Sequence, residues 1–152
     1  MTMIFVNKKE TASVLQDKLR TQGIQSKILM GGMDNKDRDQ IIDQFRLNAF
    51  TTLISTNVLA RGIDVPEVDI VINFDVPIIK KFGWTEPDYA NFMHRVGRTG
   101  RFGTDGIAVS LVEDEIEGEM MRKIGEHYEI EIRQLTDFNQ LVSALNEMRN
   151  KV

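Results

Sequence analysis

Three arginines, Arg95, Arg98 and Arg101, recur at every third position of HRVGRTGRFG, residues 94–103, with glycines at 97, 100 and 103 between them. A guanidinium is a planar, permanently charged fork that matches phosphate oxygens. On a helix running from about 88 to 98, a spacing of three brings Arg95 and Arg98 to one side, one turn after Phe92. The neighbouring glycines let the backbone pack close to another surface. The chemistry this offers is stabilisation of charge on a phosphoryl group. A lone R-x-x-R reads better as a solvated basic loop; the ten-residue string as a whole carries the stronger reading. A second segment, STNVLARGID at 55–64, follows an apolar run. Its Thr56 and Asn57 are polar groups at the end of that run, Gly62 permits close approach, and Asp64 is an acceptor suited to a sugar hydroxyl. A capped helical turn followed by a loop accounts for ARGID equally well.

Such residues need a scaffold, and the chain alternates short apolar runs with helical patterns. Strands are expected at 3–6, 26–30, 51–55, 70–73, 107–112 and 129–133. Helices are expected at 11–22, with Ala12, Leu15 and Leu19 on one face, and at 34–46, with Ile41, Ile42 and Phe45. A third, at 114–127, opens with Asp114 and Glu117 in capping-box spacing, and a fourth, at 137–149, carries the apolar stripe Phe138, Leu141, Val142, Leu145 and Met148. Strands alternating with helices predict an α/β fold, a parallel sheet covered by helices on both faces. In such sheets ligands gather at the carboxyl ends of the strands. Asn7, Gly31-Gly32 and Thr56-Asn57 all follow predicted strands. The longest stretch without a periodic pattern is PIIKKFGWTEPDYANF, 77–92.

Composition narrows the classes. A chain of 152 residues, 41% hydrophobic and 28% charged, suits one globular domain. No apolar run approaches the roughly 18 residues of a membrane span. There are no cysteines and only two histidines, His94 and His127, so thiolate metal sites are excluded and a zinc site is not expected. The formal net charge of −4 argues against gripping nucleic acid by bulk attraction; any such contact must come from local clusters. The apolar run at Ile4–Val6 begins almost at residue 1, the start expected of a segment of a longer protein.

With these segments in view a resemblance can be stated. HRVGRTGRFG resembles motif VI of the superfamily 2 helicases in its DEAD-box form, and STNVLARGID resembles motif V. MIFVNKK resembles motif IV, and MGGMDNKDRDQIIDQFR the segment after it, in order over residues 3–112. The chain is therefore identified as the second RecA-like domain of a DEAD-box RNA helicase. The long link from Pro77 to Phe92 is similar to that of the branch acting in mRNA export at the nuclear pore, and Asn57, where many relatives have Asp, points the same way.

The resemblance implies roles. Arg95 and Arg98 match arginine fingers that meet the γ-phosphate of ATP across a cleft, Asp64 the acidic residue at the ribose, with Gly62 beside it. Arg101 matches a bracing position and His94 a coupling one. Asn7, Gly31, Gly32, Arg38, Thr56, Asn57 and Arg61 match RNA-contacting positions, which address phosphates and 2′-hydroxyls without reading sequence. Arg38 could instead pair with Asp34 within its helix. Met30 and Asn35 depart from the His and Gln common in relatives. The implied cofactors are ATP and Mg2+, the metal held mainly by a first RecA-like domain, since this chain has neither a G-x-x-x-x-G-K-S/T loop nor an Asp-Glu-Ala-Asp segment. The implied partners are RNA, that first domain and regulators of domain closure, the protein being a monomer without membrane insertion. Alone, the segment is expected to hydrolyse no ATP. Two alternatives stay open: a regulator-docking module, with the loop at 78–89 as a candidate contact unless Trp84 folds back onto the domain, and an RNA-binding module with no ATPase role.

Overall fold

The computed structural model describes residues 1–56, 65–100 and 105–151. In chain order the elements are β1 (Thr2–Phe5), α1 (Lys9–Thr21), β2 (Ser26–Leu29), α2 (Asn35–Arg46), β3 (Thr52–Ser55), β4 (Ile70–Asn73), β5 (Ile78–Lys81), β6 (Trp84–Pro87), α3 (Tyr89–Val96), β7 (Ile107–Ser110), α4 (Glu115–Tyr128) and α5 (Phe138–Arg149). Five strands form a parallel sheet in the order β2-β3-β1-β4-β7, and β5 pairs with β6 as a separate antiparallel ribbon.

Strand alternation sorts the core into two faces. Met3, Phe5, Leu53 and Val71 point to one side, where Ile42 and Phe45 of α2 and the following Phe50 cover them. The Phe45 and Phe50 rings stack at 5.3 Å. Ile4, Val6 and Ile54 point to the other side, against Ala12, Leu15 and Leu19 of α1. Each such side chain fully buried stabilises the fold by roughly 1.5–3 kcal/mol. A third cluster joins α3 and α4 through Val76, Phe92, Met120, Met121 and Ile124.

The helix starts follow local chemistry. Asp34, Asp88, Asp114 and Asp137 each accept a backbone N–H of the first turn that follows. At α4 the cap is reciprocal in effect: Glu117 N donates to Asp114 Oδ1 (2.8 Å), and Glu113 N donates to Glu117 Oε2 (2.8 Å).

Three expectations are corrected. The stretch 77–92 is regular: it forms the β5–β6 hairpin and then α3. Its turn is Phe82-Gly83, both at positive φ (48° and 82°), the type I′ signature of a two-residue hairpin. Residues 129–133 form no strand. Glu129 instead ends α4 in the left-handed conformation, and Ile130 N bonds back to Gly125 O (3.0 Å), so the chain turns away from pairing. Finally, α5 forms but buries none of its residues; Phe138, at the head of the expected stripe, is 74% exposed.

Candidate functional site

The five strands end in one register row, Leu29–Ser55–Phe5–Asn73–Ser110. Residues that follow them therefore share one edge of the sheet. From β2 to β4 these are Gly31-Gly32, Thr56, Asn7 and Asp75, with the hairpin rising after Val76-Pro77.

Arg95 is the densest point of this edge, and it faces inward. Its Nη2 donates to Asn7 Oδ1 (2.8 Å), and its Nη1 donates to the Asp75 carbonyl (2.8 Å) and to Asn73 Oδ1 (3.3 Å). The guanidinium carbon lies 5.3 Å from the centre of the Phe5 ring, a cation–π contact. Asn7 is tied down in turn: its backbone N–H donates to Asp75 Oδ2 (2.7 Å) and its Nδ2 to Val76 O (3.1 Å). Asn73 passes the network on to Ser110 through a 3.1 Å bond. Arg95 is 1% exposed. Desolvation pushes its pKa down to about 10, against the opposing charges of Asp75 and Asp88, so it stays ionised at neutral pH. In this structure the fork of Arg95, expected at a phosphate, is turned inward onto Asn7, Asn73 and Asp75.

Arg98 is placed differently. It is half-buried, and its carbonyl accepts the Val68 N–H (3.0 Å) on the approach to β4. Thr99 Oγ1 donates to Val68 O (2.6 Å) and lies 3.0 Å from Asp69 O. The turn is packed close: a Cβ on Gly106 would lie 2.4 Å from Gly100 N. So Arg95 reaches toward the carboxyl end of β4, while the Arg98 main chain is fixed at the other end. His94 is exposed on α3. The start of α3 is braced by α4: Tyr128 Oη donates to Tyr89 O (2.8 Å), and His127 stacks on Tyr89 at 4.1 Å.

The expected RNA-facing residues lie along the strand-end row, with different freedom. Gly31 and Gly32 form the turn after β2, and a Cβ on Gly32 would lie 3.9 Å from Lys9 Nζ, so an ammonium stands over that turn. Arg38 Nη2 donates to Asn35 Oδ1 (2.6 Å), so the carboxylate pairing with Asp34 gives way to an amide partner three residues back. Thr56 is 7% exposed; its N–H donates to Leu29 O (3.1 Å), while its buried Oγ1 has no partner among the described residues. Asn57, Arg61, Gly62, Asp64 and Arg101 lie outside the described residues.

Sequence reasoning missed Phe5, Asn73 and Asp75 as the seat of Arg95, and Gly106 as the close packing neighbour of Thr99 and Gly100. Asn73 had a signal: a polar residue closing the apolar run Ile70–Asn73. Gly106 had one in the Asp105-Gly106 dipeptide. Among the described residues no three His, Cys, Asp or Glu side chains gather into a cluster.

A RecA-like sheet carrying an arginine segment at its edge is the build of a helicase second domain. Residues 1–103 match the family described as the helicase conserved C-terminal domain, and the chain belongs to that family, in its DEAD-box branch. It is 50% identical over 113 residues to the ATP-dependent RNA helicase DBP5 of Candida albicans, an alignment covering 74% of this chain and 20% of that protein. A solved structure of the C-terminal domain of the DEAD-box protein Dbp5 superposes with a TM-score of 0.87 at 38% identity, over 96% of this chain and 81% of that one. Dbp5 of S. cerevisiae bound to RNA and ADP BeF3 superposes with a TM-score of 0.83 at 38% identity, over 96% of this chain and 37% of that one. The chain thus spans about a fifth of the length of the C. albicans relative.

Proposed function

We propose that the chain is the second RecA-like half of an ATP-dependent RNA helicase, supplying one wall of the ATP cleft and part of an RNA-binding edge. The observation that carries the reading is the Arg95 clamp. It fastens the HRVGRTG segment to Asn7, Asn73 and Asp75, and so joins the nucleotide-facing turn to the strand ends where RNA would lie. In this reading Arg98 meets the γ-phosphate, and Arg95 is a positioning residue that keeps the turn in place for it. Asp64 and Gly62 serve the ribose, and Arg101 and His94 brace and couple the segment. ATP supplies the phosphoryl group whose developing charge a pre-placed guanidinium stabilises.

RNA would be held along the row Gly31, Gly32, Thr56 and Asn7, with Asn57 adding a polar contact and Arg38 and Arg61 adding charge. These are positional contacts suited to a sequence-independent clamp. That the S. cerevisiae relative is solved with RNA and ADP BeF3 favours both ligands here. The likeness to Dbp5 and the long Pro77-to-Phe92 link favour a role in mRNA export at the nuclear pore, with protein regulators of domain closure as partners. Phosphate-cradling and Mg2+-binding groups would come from the first RecA-like domain. The test is Arg98→Ala in the complete protein. RNA-stimulated ATP turnover should fall on the order of 10³-fold, as for other arginine fingers. An unchanged turnover number refutes the assignment.

A further inference from the structure

The β5–β6 hairpin belongs to neither the sheet nor the α3 segment, yet it rises from the candidate RNA edge. It leaves the end of β4, the strand next to β1 in the sheet order, and Asn7 Nδ2 bonds to Val76 O at its root. Adjacent strands lie about 4.8 Å apart, so the turn after β2 and the hairpin root mark the two ends of a track roughly 14 Å long.

The hairpin is rigid at its base and unusual at its tip. Val76 and Pro87 are buried, Ile78 packs on the Phe92–Met120 cluster, and Asp88 N donates to Pro77 O (2.9 Å). At the tip Lys80, Lys81, Phe82 and Trp84 are all exposed, Phe82 by 98% and Trp84 by 62%. Trp84 therefore does not fold back onto the domain. Phe82 also occupies φ +48°, the first position of a type I′ turn, where Asn, Asp or Gly is the unstrained choice. Neither packing nor turn chemistry accounts for a phenylalanine there.

We propose that this tip is a second RNA contact, a stacking platform for bases of the single strand that runs on past the strand-end row. The proposal rests on the reading that RNA lies along that row. Aromatic rings offer stacking to any base, and adjacent lysines attract the backbone, the combination that binds single-stranded nucleic acid without sequence preference. A protein-docking site would instead present a contiguous apolar core inside a polar rim. Here the two rings project from a narrow ribbon beside two cations.

The experiment uses the complete protein with ADP BeF3 and fluorescent oligouridylates of about 3 and about 20 nucleotides, below and above the roughly 4–16 nucleotides that one aromatic single-strand site covers. The Phe82→Ser/Trp84→Ser variant should bind the longer RNA about 5- to 150-fold more weakly per stacked base lost, and the shorter RNA as tightly as wild type. Both side chains are exposed, so the thermal midpoint should not fall. Arg38→Ala, in the row itself, should weaken both lengths. Wild-type affinity of the hairpin variant for the longer RNA, with Arg38→Ala impaired, overturns the proposal, leaves the row reading standing and assigns the tip to a protein partner. Loss with the hairpin variant for the longer RNA supports the platform, and an unimpaired Arg38→Ala then removes only Arg38 from the row. Loss with neither refutes the platform and likewise removes Arg38 from the row.

Discussion

Arg95→Ala separates a clamp from a finger. The side chain makes three charge-assisted bonds, to Asn7, Asp75 and Asn73, each contributing about 1.5–3 kcal/mol. Against them stands the cost of burying the charge. The pKa pushed down to about 10 corresponds to roughly 3 kcal/mol of net penalty on the ionised form. That penalty is present throughout the working pH range, because the guanidinium stays ionised there. Truncation removes both terms, but it leaves the fully buried Asn73 without its donor and opens a cavity over Phe5. The net expectation is a loss of about 1.5–6 kcal/mol, or about 3–24 °C in the thermal midpoint for a domain of this size. Arg95→Met, which keeps the volume and drops the charge, should cost less than Arg95→Ala, because no cavity opens and the desolvation penalty is removed together with the hydrogen bonds. The assay is urea denaturation followed by far-ultraviolet circular dichroism, since the exposed Trp84 reports poorly on the core. Stability of Arg95→Ala within about 1 kcal/mol of wild type, less than the worth of one charged bond, refutes the clamp and returns Arg95 to the phosphate.

Two further perturbations test the backbone around the site. Phe82→Asn places the preferred residue at the first turn position; it should raise stability by about 1 kcal/mol and the thermal midpoint by about 2–4 °C, while weakening the binding of long RNA. A lower midpoint would show that the turn is not strained. Gly106→Ala drives a methyl to 2.4 Å from Gly100 N and should cost about 1–3 kcal/mol in urea melts; wild-type stability would mean that the turn after Arg98 yields freely.

The parallel sheet was legible in the sequence because each of its strands is an apolar run followed by a polar or glycine residue. The helix starts were legible because Asp34, Asp114 and Asp137 advertise their caps. The hairpin was hidden for two reasons. Lys80, Lys81 and Glu86 look like loop residues, and Phe82 occupies the turn position that usually announces itself with Asn or Asp. Ile130 and Ile132 alternate with charged residues as a strand would, but alternation specifies only a face. Pairing needs a neighbour, and the left-handed Glu129 turns the chain away. Spacing likewise put Arg95 and Arg98 on one side of a helix and was silent on direction. Direction was decided by three acceptors at the ends of two strands, β1 and β4, far away in sequence, which no local pattern contains.

The bond from Asp88 N to Pro77 O has a meaning for how such a domain can vary. It closes residues 77–88 into a loop whose two ends meet, with the Arg95 clamp anchored on the far side of that junction. Beyond Ile78 and Pro87, which pack at the base, the residues of the tip can be shortened, lengthened or exchanged without moving the sheet or the arginine turn. The hairpin is a cartridge on a fixed chassis: the same sheet and arginine turn can carry a different contact surface by replacing the exposed residues of its tip.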